Sequence, residues 1–397
     1  MKKKSEVKRL RDVRRTLRER YNKTSKVREF NTGIIKKETS SFDWLAINEW
    51  VQDECKKGLI ISHSLNGKKL KRNGIVLQLP PNMNFSKDYD GTVQCLTAIR
   101  KLASLFENIK SNLPKKALKL ASVNFDNLCN ISTSAALVLT AEVSRWDTTL
   151  RKKLVPNVKR WNDDIFIQFE QLGFFDLFEN KPKHISYSGG SQSQLDFVRY
   201  VKGSCGNLEE GKEKKKLLKK EIMKLVGDKI DKWTILHSGL SEAVTNVTHH
   251  AYPANDSCED KSWYLTGSYN KQSKEMKIAF FDQGVGIPNS LPVSQIWEKV
   301  LDLFSKWNIP KAEFEKHATL LEAAVKIDRT STEQNDRGKG LQDLLEFIRE
   351  RKEGYLSIFS YHGLYKCWIK GGKEYSKAES MERPLFGTLI IWSVSLK

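Results

Sequence analysis

Paired cysteines are missing from this sequence. Its six cysteines, Cys55, Cys95, Cys129, Cys205, Cys258 and Cys367, are scattered and form no CxxC pair, which excludes a zinc ribbon and a disulfide framework and points to a reducing, intracellular compartment. No stretch approaches the roughly 20 apolar residues of a membrane span, and the basic start is not followed by the apolar region of a signal peptide. The expectation is a soluble cytoplasmic protein with no membrane partner. No internal repeat is visible. Negative charge is the scarcer sign: 48 Asp plus Glu stand against 68 Lys plus Arg, a net charge of +20, and such an excess attracts polyanions. Residues 1–37 hold 15 Lys or Arg and 4 Asp or Glu, so +11 of the total sits in that short stretch.

At 397 residues the chain has room for two or three domains of about 100 to 200 residues each. Residues 1–70 read as a basic helical amino-terminal segment. Val7, Leu10, Val13 and Leu17 recur at three- or four-residue spacing among Lys and Arg, and the apolar stretches 42–51 and 59–61 follow. The stripe serves either a helix packing on its own domain or an arm for nucleic acid. Between 71 and 180, apolar strand-like and helix-like stretches alternate: 75–79, a helix over 93–109, a strand over 118–125, a long helix from Ser134, the stretch 165–169 and a short amphipathic piece. That order predicts a small α/β domain. Residues 181–192, KPKHISYSGGSQ, read as a linker. The remainder, 193–397, contains a strand over 195–201, helices over 209–226 and 232–251, hairpin-like strand pairs around 263–281 and 355–370, a helix over 341–351 and a closing strand over 388–396.

Chemistry-bearing residues gather in this last part. In SEAVTNVTHHAY, residues 241–252, Glu242, Asn246 and His250 are each four apart, so they share one helix face with Cβ atoms about 6 Å apart. A carboxylate beside an amide oxygen suits a cleft in which the acid polarises a hydroxyl while the amide helps hold a hard cation such as Mg²⁺. An exposed helix face can carry the same trio. Further on, an apolar strand over 278–281 runs into Asp282 and then Gln283-Gly284-Val285-Gly286-Ile287-Pro288. A strand delivering Asp to a Gly-x-Gly turn sets one acceptor at a fixed depth, and the glycines let a flat ligand approach the backbone. The third piece, Asp336-Arg337-Gly338-Lys339-Gly340-Leu341, sets glycine amides and two cations before an amphipathic helix, a place for phosphates. It is not a Walker loop: the Gly five residues earlier and the Ser/Thr after the Lys are absent.

The order and spacing of these three boxes, with the closing strand Gly387-Thr388-Leu389-Ile390-Ile391, resemble the GHKL superfamily of gyrase, heat-shock chaperone, histidine-kinase and mismatch-repair ATPases. The nearest look is to the anti-sigma-factor serine-kinase type, whose asparagine box reads Glu-x-x-x-Asn-x-x-x-His-x-Tyr, as Glu242, Asn246, His250 and Tyr252 do. The resemblance covers about residues 193–397. It implies a Bergerat-type α/β sandwich, with ATP between helices and a mixed sheet. Glu242 would be the general base, Asn246 the Mg²⁺ ligand and Asp282 the partner of the adenine amine. Gly284 and Gly286 would border the base, and Gly338 and Gly340, with Arg337 and Lys339, the phosphates. Thr388 would support the adenine end, and His250 matches a box position. The function implied is an ATPase or ATP-gated switch, with a serine kinase acting on a STAS domain as alternative, and a protein partner or homodimer follows from the same analogy. An interaction module for protein or nucleic acid in which ATP only sets conformation is the other class. The interval between Ile287 and Arg337 exceeds a minimal kinase lid and contains a helix over 312–326.

Residues 71–180 resemble a STAS domain, through Val123-Asn124-Phe125 and Ile131-Ser132-Thr133-Ser134 into an apolar helix, and through 166–178 as closing strand and helix. Thr133 and Ser134 fall at the family's phosphosite, with Ser132 at its Asp position and Ala135 at its Gly. The competing reading makes Ser132 and Ser134 helix caps. Gly203-Ser204-Cys205-Gly206 reads as a flexible loop, and Lys212, Lys214, Lys215, Lys216, Lys219 and Lys220 as a solvated helix start.

Overall fold

Capping chemistry and turn glycines set the element boundaries. The computed structural model describes residues 44–66, 69–108, 116–182, 194–205, 208–226, 230, 232–252, 261–294, 297–310, 313–327 and 341–396. The basic segment 1–43 and most of the expected linker lie outside them. The described chain is a mixed α/β protein in two units, one from 44–200 with 266–272, the other from 201–265 with 273–396.

In the first unit α1 (Trp44–Lys56) leads to β1 (Ile61–Asn66), β2 (Lys69–Gln78), the short β3 (Asn82–Met83), α2 (Tyr89–Asn108), β4 (Lys119–Asn124) and the short β5 (Asn130–Ile131). β1 is antiparallel to β2 and β2 parallel to β4, with α2 in the crossover. α1 and β1, grouped by sequence with the basic segment, pack here: Asn48 donates to the Lys116 carbonyl at 3.0 Å and accepts from the Leu118 amide at 3.0 Å. α3 (Thr133–Ser144) is capped by Ser132, which accepts from the Ala135 amide, and is buried nearly throughout. Arg100 and Glu142 form a buried two-pronged pair between α2 and α3. α4 (Thr148–Lys153) and α5 (Asp163–Leu172) follow.

The stretch 165–169 is helix, not the closing strand the resemblance implied. Asn162 caps α5, Asp163 and Asp164 occupy its first turn, and Gly173 ends it at φ 85°. Its buried face, Ile165, Gln168, Phe169 and Leu172, has helical spacing. Phe169 joins an aromatic core in which Phe125 stacks on Trp161 with centroids 4.2 Å apart. The strand expected over 195–201 divides into β6 (Leu195–Phe197) and β7 (Val201–Ser204). β6 belongs to the first unit, pairing with residues 268–270 and donating from its Phe197 amide to the Gln171 side-chain oxygen at 2.8 Å.

The second unit starts at β7, where Gly203 is not in a flexible loop: a Cβ there would lie 2.1 Å from the Trp263 indole. Then come α6 (Leu208–Val226), α7 (Trp233–Asn246) with a wide π turn over Val247–Ala251, β8 (Ser262–Asn270), β9 (Glu275–Asp282), α8 (Ile287–Ser290), α9 (Trp297–Lys306), α10 (His317–Lys326), α11 (Gln342–Arg351), β10 (Gly354–Lys370) and β11 (Lys373–Ser395). The strand order is β10-β11-β9-β8, with β7 also on β8. Residues 355–370 are one long strand and not a hairpin in themselves; the reversal is at Gly371-Gly372, φ 59° and 73°, which joins β10 to β11. Two consecutive glycines with positive φ are what a two-residue hairpin turn requires. The helix expected over 312–326 begins only at His317, and it shares a core with α9 made by Trp297, Val300, Leu301, Phe304, Phe314, Leu320 and Ala323.

Candidate functional site

Three of the sequence signals meet in the second unit. β9 is apolar and buried from Ile278 to Phe281 because it lies between β8 and β11, and it ends on Asp282, 2% exposed. The Asp282 carboxylate accepts from the Gly284 amide at 2.7 Å, which turns the chain sharply after the strand. Gly286 follows at φ 85° and ψ 151°, a conformation essentially closed to other residues. β11 arrives antiparallel with Thr388 opposite Asp282. That approach depends on Gly387, at φ 99°, where a Cβ would lie 1.9 Å from the Asp282 carbonyl oxygen.

α7 supplies the third wall. After Asn246 its hydrogen bonding loosens into the π turn Val247–Ala251, a local widening that often marks functional positions. The turn's end is fastened to the glycine loop: the Val285 amide donates to the Ala251 carbonyl at 2.8 Å. Tyr252, the last residue of the asparagine box, donates its hydroxyl to the Ser262 carbonyl at 2.8 Å and accepts from the Gln283 amide at 3.3 Å. It is a clamp between α7, β8 and the loop.

Between these walls lies a partly open cleft of about 730 Å³, a figure that counts the solvent space at its mouth. Its walls are largely apolar: Ala243, Val247, Ala251, Phe280, Ile287, Leu291, Ala324, Ile327, Leu341 and Ile390, with Asn246, His250, Asp282, Gly286, Ser290, Ser294 and Thr388 as further lining residues. Five of the residues singled out by sequence, Asn246, His250, Asp282, Gly286 and Thr388, thus face one space. The Asn246 side-chain nitrogen is buried without a hydrogen-bond partner among the described residues. A half-turn of the side-chain amide exchanges its nitrogen and oxygen, so the buried unsatisfied atom of Asn246 is of either kind.

Other expected residues stand differently. Glu242 is 7% exposed, one turn before Asn246, and does not line the cleft. Gly284 does not border the space either; its Cα packs on the π turn, where a Cβ would lie 2.4 Å from the Ala251 Cβ. Arg337, Gly338, Lys339 and Gly340 lie outside the described residues, while the adjoining Leu341 is part of the cleft wall. Among the described lining residues none is Lys or Arg. No group of three or more His, Cys, Asp or Glu able to hold a metal comes together among the described residues.

Sequence reasoning missed Ser360. This fully buried hydroxyl of β10 accepts from the Ile287 amide at 2.8 Å and lies 3.1 Å from the Thr388 hydroxyl, so it joins the glycine loop to β11. Nothing local distinguishes a serine in an apolar strand. Lys215 was taken as part of a solvated face, yet it is 5% exposed and donates to the Ser241 hydroxyl at 2.5 Å, next to Glu242. Burial first, then Lys212, holds its pKa below the ordinary lysine value. In the first unit, Thr133 and Ser134 are 3% and 5% exposed, and the Thr133 hydroxyl is 2.6 Å from that of Ser268. Ser132 acts as the helix cap, as the competing reading had it, whereas Ser134 is not a cap but lies inside the first turn of α3. No protein-family model matches the chain, and no curated protein matches its sequence.

Proposed function

We propose that the cleft of the second unit binds ATP with Mg²⁺, and that the protein is a Mg²⁺-dependent ATPase or ATP-gated switch of the GHKL type, its second unit a Bergerat-type domain and its first a STAS-like one. The observation that carries this reading is the convergence of Asn246, Asp282, Gly286 and Thr388, from three separate stretches, on one mostly apolar cleft. Apolar walls suit the two faces of a purine, and a carboxylate 2% exposed at the end of a strand suits its exocyclic amine. Gly286 leaves the edge of the loop without a side chain, and Thr388 stands beside Asp282 in register.

The donor set fits Mg²⁺ used in the nucleotide manner, with one protein oxygen from Asn246 and the remainder from phosphates and water. When bound, that ion would neutralise phosphate charge and polarise the terminal phosphoryl group. The chain's own contribution is orientation and proton handling. Asp282 and the apolar walls would fix the base and Asn246 the phosphate end, while Arg337 and Lys339 would add the positive charge that the described lining residues lack and the Gly338 and Gly340 amides would donate to phosphate. Glu242, one helical turn behind Asn246 and off the cleft wall, is the candidate to accept the proton of the attacking hydroxyl through one bridging water. Water as that hydroxyl gives an ATPase; a protein side chain gives the serine-kinase alternative. The chain's own Ser134 is a poor acceptor for the latter, because it is 5% exposed.

Calorimetry with MgATP on the full chain tests the reading. Binding is expected, Asp282→Asn should weaken it at least about tenfold by removing an acceptor for the base amine, and Glu242→Gln should leave binding in place while abolishing phosphate release. No heat of association for the parent protein would end the proposal. Phosphate appearing on protein from γ-labelled ATP, lost in Glu242→Gln, would select the kinase form.

A further inference from the structure

At Tyr361, φ 54°, the register of the β10–β11 hairpin breaks and the pair bends away from the sheet. β9 pairs with β11 over residues 388–395, so among the described residues 363–370 and 373–380 pair only with each other. This arm has two unlike faces. On the inner one Gly363, Tyr365 and Cys367 are buried, Gly363 lying against the His317 carbonyl of α10, and Glu374 accepts from Arg349 of α11 at 2.8 Å. On the outer one the register sets Lys366 opposite Lys377, Trp368 opposite Tyr375 and Lys370 opposite Lys373. Trp368 and Tyr375 stack with centroids 5.7 Å apart and planes 16° apart. Tyr375 is 44% exposed, and Lys370, Lys373 and Lys377 are exposed beside it.

Like charges directly opposite each other destabilise a strand pair, and this arm carries two such lysine pairs, one on each side of the aromatic pair. Lys377 has Glu379 at 2.8 Å, and Lys366 lies over the Tyr355 ring at 5.1 Å. Lys370 and Lys373 have no ion-pair partner among the described residues. A ligand that is anionic along its length and flat at intervals relieves this repulsion and uses the aromatic faces. We infer that the outer face of the arm binds single-stranded nucleic acid, phosphates lying along the four lysines and a base stacking on the Trp368–Tyr375 pair. A basic track with aromatic platforms is the mode that holds single strands without base-edge readout. An acidic membrane would engage the same lysines, but its binding scales with the apolar area inserted, and beyond the mutually stacked Trp368 and Tyr375 this face offers only the half-buried Leu364.

Fluorescence anisotropy of a labelled thymidine oligonucleotide of about 15 nucleotides with the full chain tests the inference. Binding should weaken with salt. Lys370→Gln with Lys373→Gln should lower affinity at least about tenfold and make the log–log salt slope shallower by about 1.4, at about 0.7 per phosphate contact. Tyr375→Ala should weaken binding about tenfold with the slope unchanged. The lysine replacements remove repulsion, so Tm should not fall and MgATP binding should stay as in the parent. The inference is overturned by no binding, by an unchanged slope in the double variant, by an equal loss on changing Lys216 and Lys220 of α6 to Gln, or by binding to phosphatidylserine vesicles without binding to the oligonucleotide.

Discussion

Gly387 is the residue on which the geometry of the cleft most directly depends. It brings β11 onto β9 so closely that a Cβ would meet the Asp282 carbonyl oxygen, and its φ of 99° disfavours any other residue. Gly387→Ala is expected to destabilise the protein by more than about 1 kcal/mol through φ alone, with the backbone clash added, and to displace Asp282 from its place. Urea melts would show a lower midpoint with unchanged slope, and MgATP binding would weaken; a midpoint equal to the parent's would contradict the strand contact. Asn246, His250, Asp282 and Gly286 were legible in the sequence because each belongs to a short pattern with fixed spacing. Ser360, Lys215 and the clamping role of Tyr252 were not, because the partners that give them meaning come from other elements. Glu242 and Gly284 were read from the same patterns, yet burial and packing against the π turn keep them off the cleft wall.

The helices α6 and α7 carry a pH dependence that neither has alone. His237 on α7 is held below the ordinary 6.5, first by burial and then by Lys215, Lys219 and Lys216 of α6. The unfolded chain therefore takes up a proton before the folded one does, and stability rises with pH between the lowered value and about 6.5. Acidification through that window should progressively destabilise the protein. His237→Gln should flatten that part of the stability profile measured by urea melts from pH 7 to 5, whereas an equal slope in the variant would remove His237 from the account. Element type followed the sequence reading for α6 and α11, expected over 209–226 and 341–351. It failed at 165–169, where the resemblance to a STAS domain implied a closing strand although the Asn162 cap and the Gly173 stop bracket a helix. The turn Gly371-Gly372 was also present in the sequence and would have marked the hairpin.

Across the molecule, the segment between Ile287 and Ile327 has a core of its own instead of forming a bare loop. Trp297, Phe304 and Leu320 are at most 1% exposed within it, and its last members, Ala324 and Ile327, also line the cleft. Phe304→Ala should cost about 3–5 kcal/mol of local stability. Hydrogen exchange would detect this as faster exchange over α9 and α10 with β9 and β11 still protected, and uniform loss of protection would instead make the segment one cooperative unit with the sheet. MgATP should restore part of the protection if those residues close on the nucleotide.

By itself the sequence determined the α/β class, most helix positions and the residue types that chemistry at a cleft would need. Periodicity, caps and turn glycines act over a few residues, and each leaves its mark in the local order of amino acids. Only the tertiary structure decided that Asp282 faces Thr388, that Ser360 ties the glycine loop to β11, that Gly284 supports the wall without lining it, and that the arm's lysines stand opposite one another. These are matters of strand register and burial between segments distant in the chain, set by the fit of whole surfaces and written in no single stretch of it.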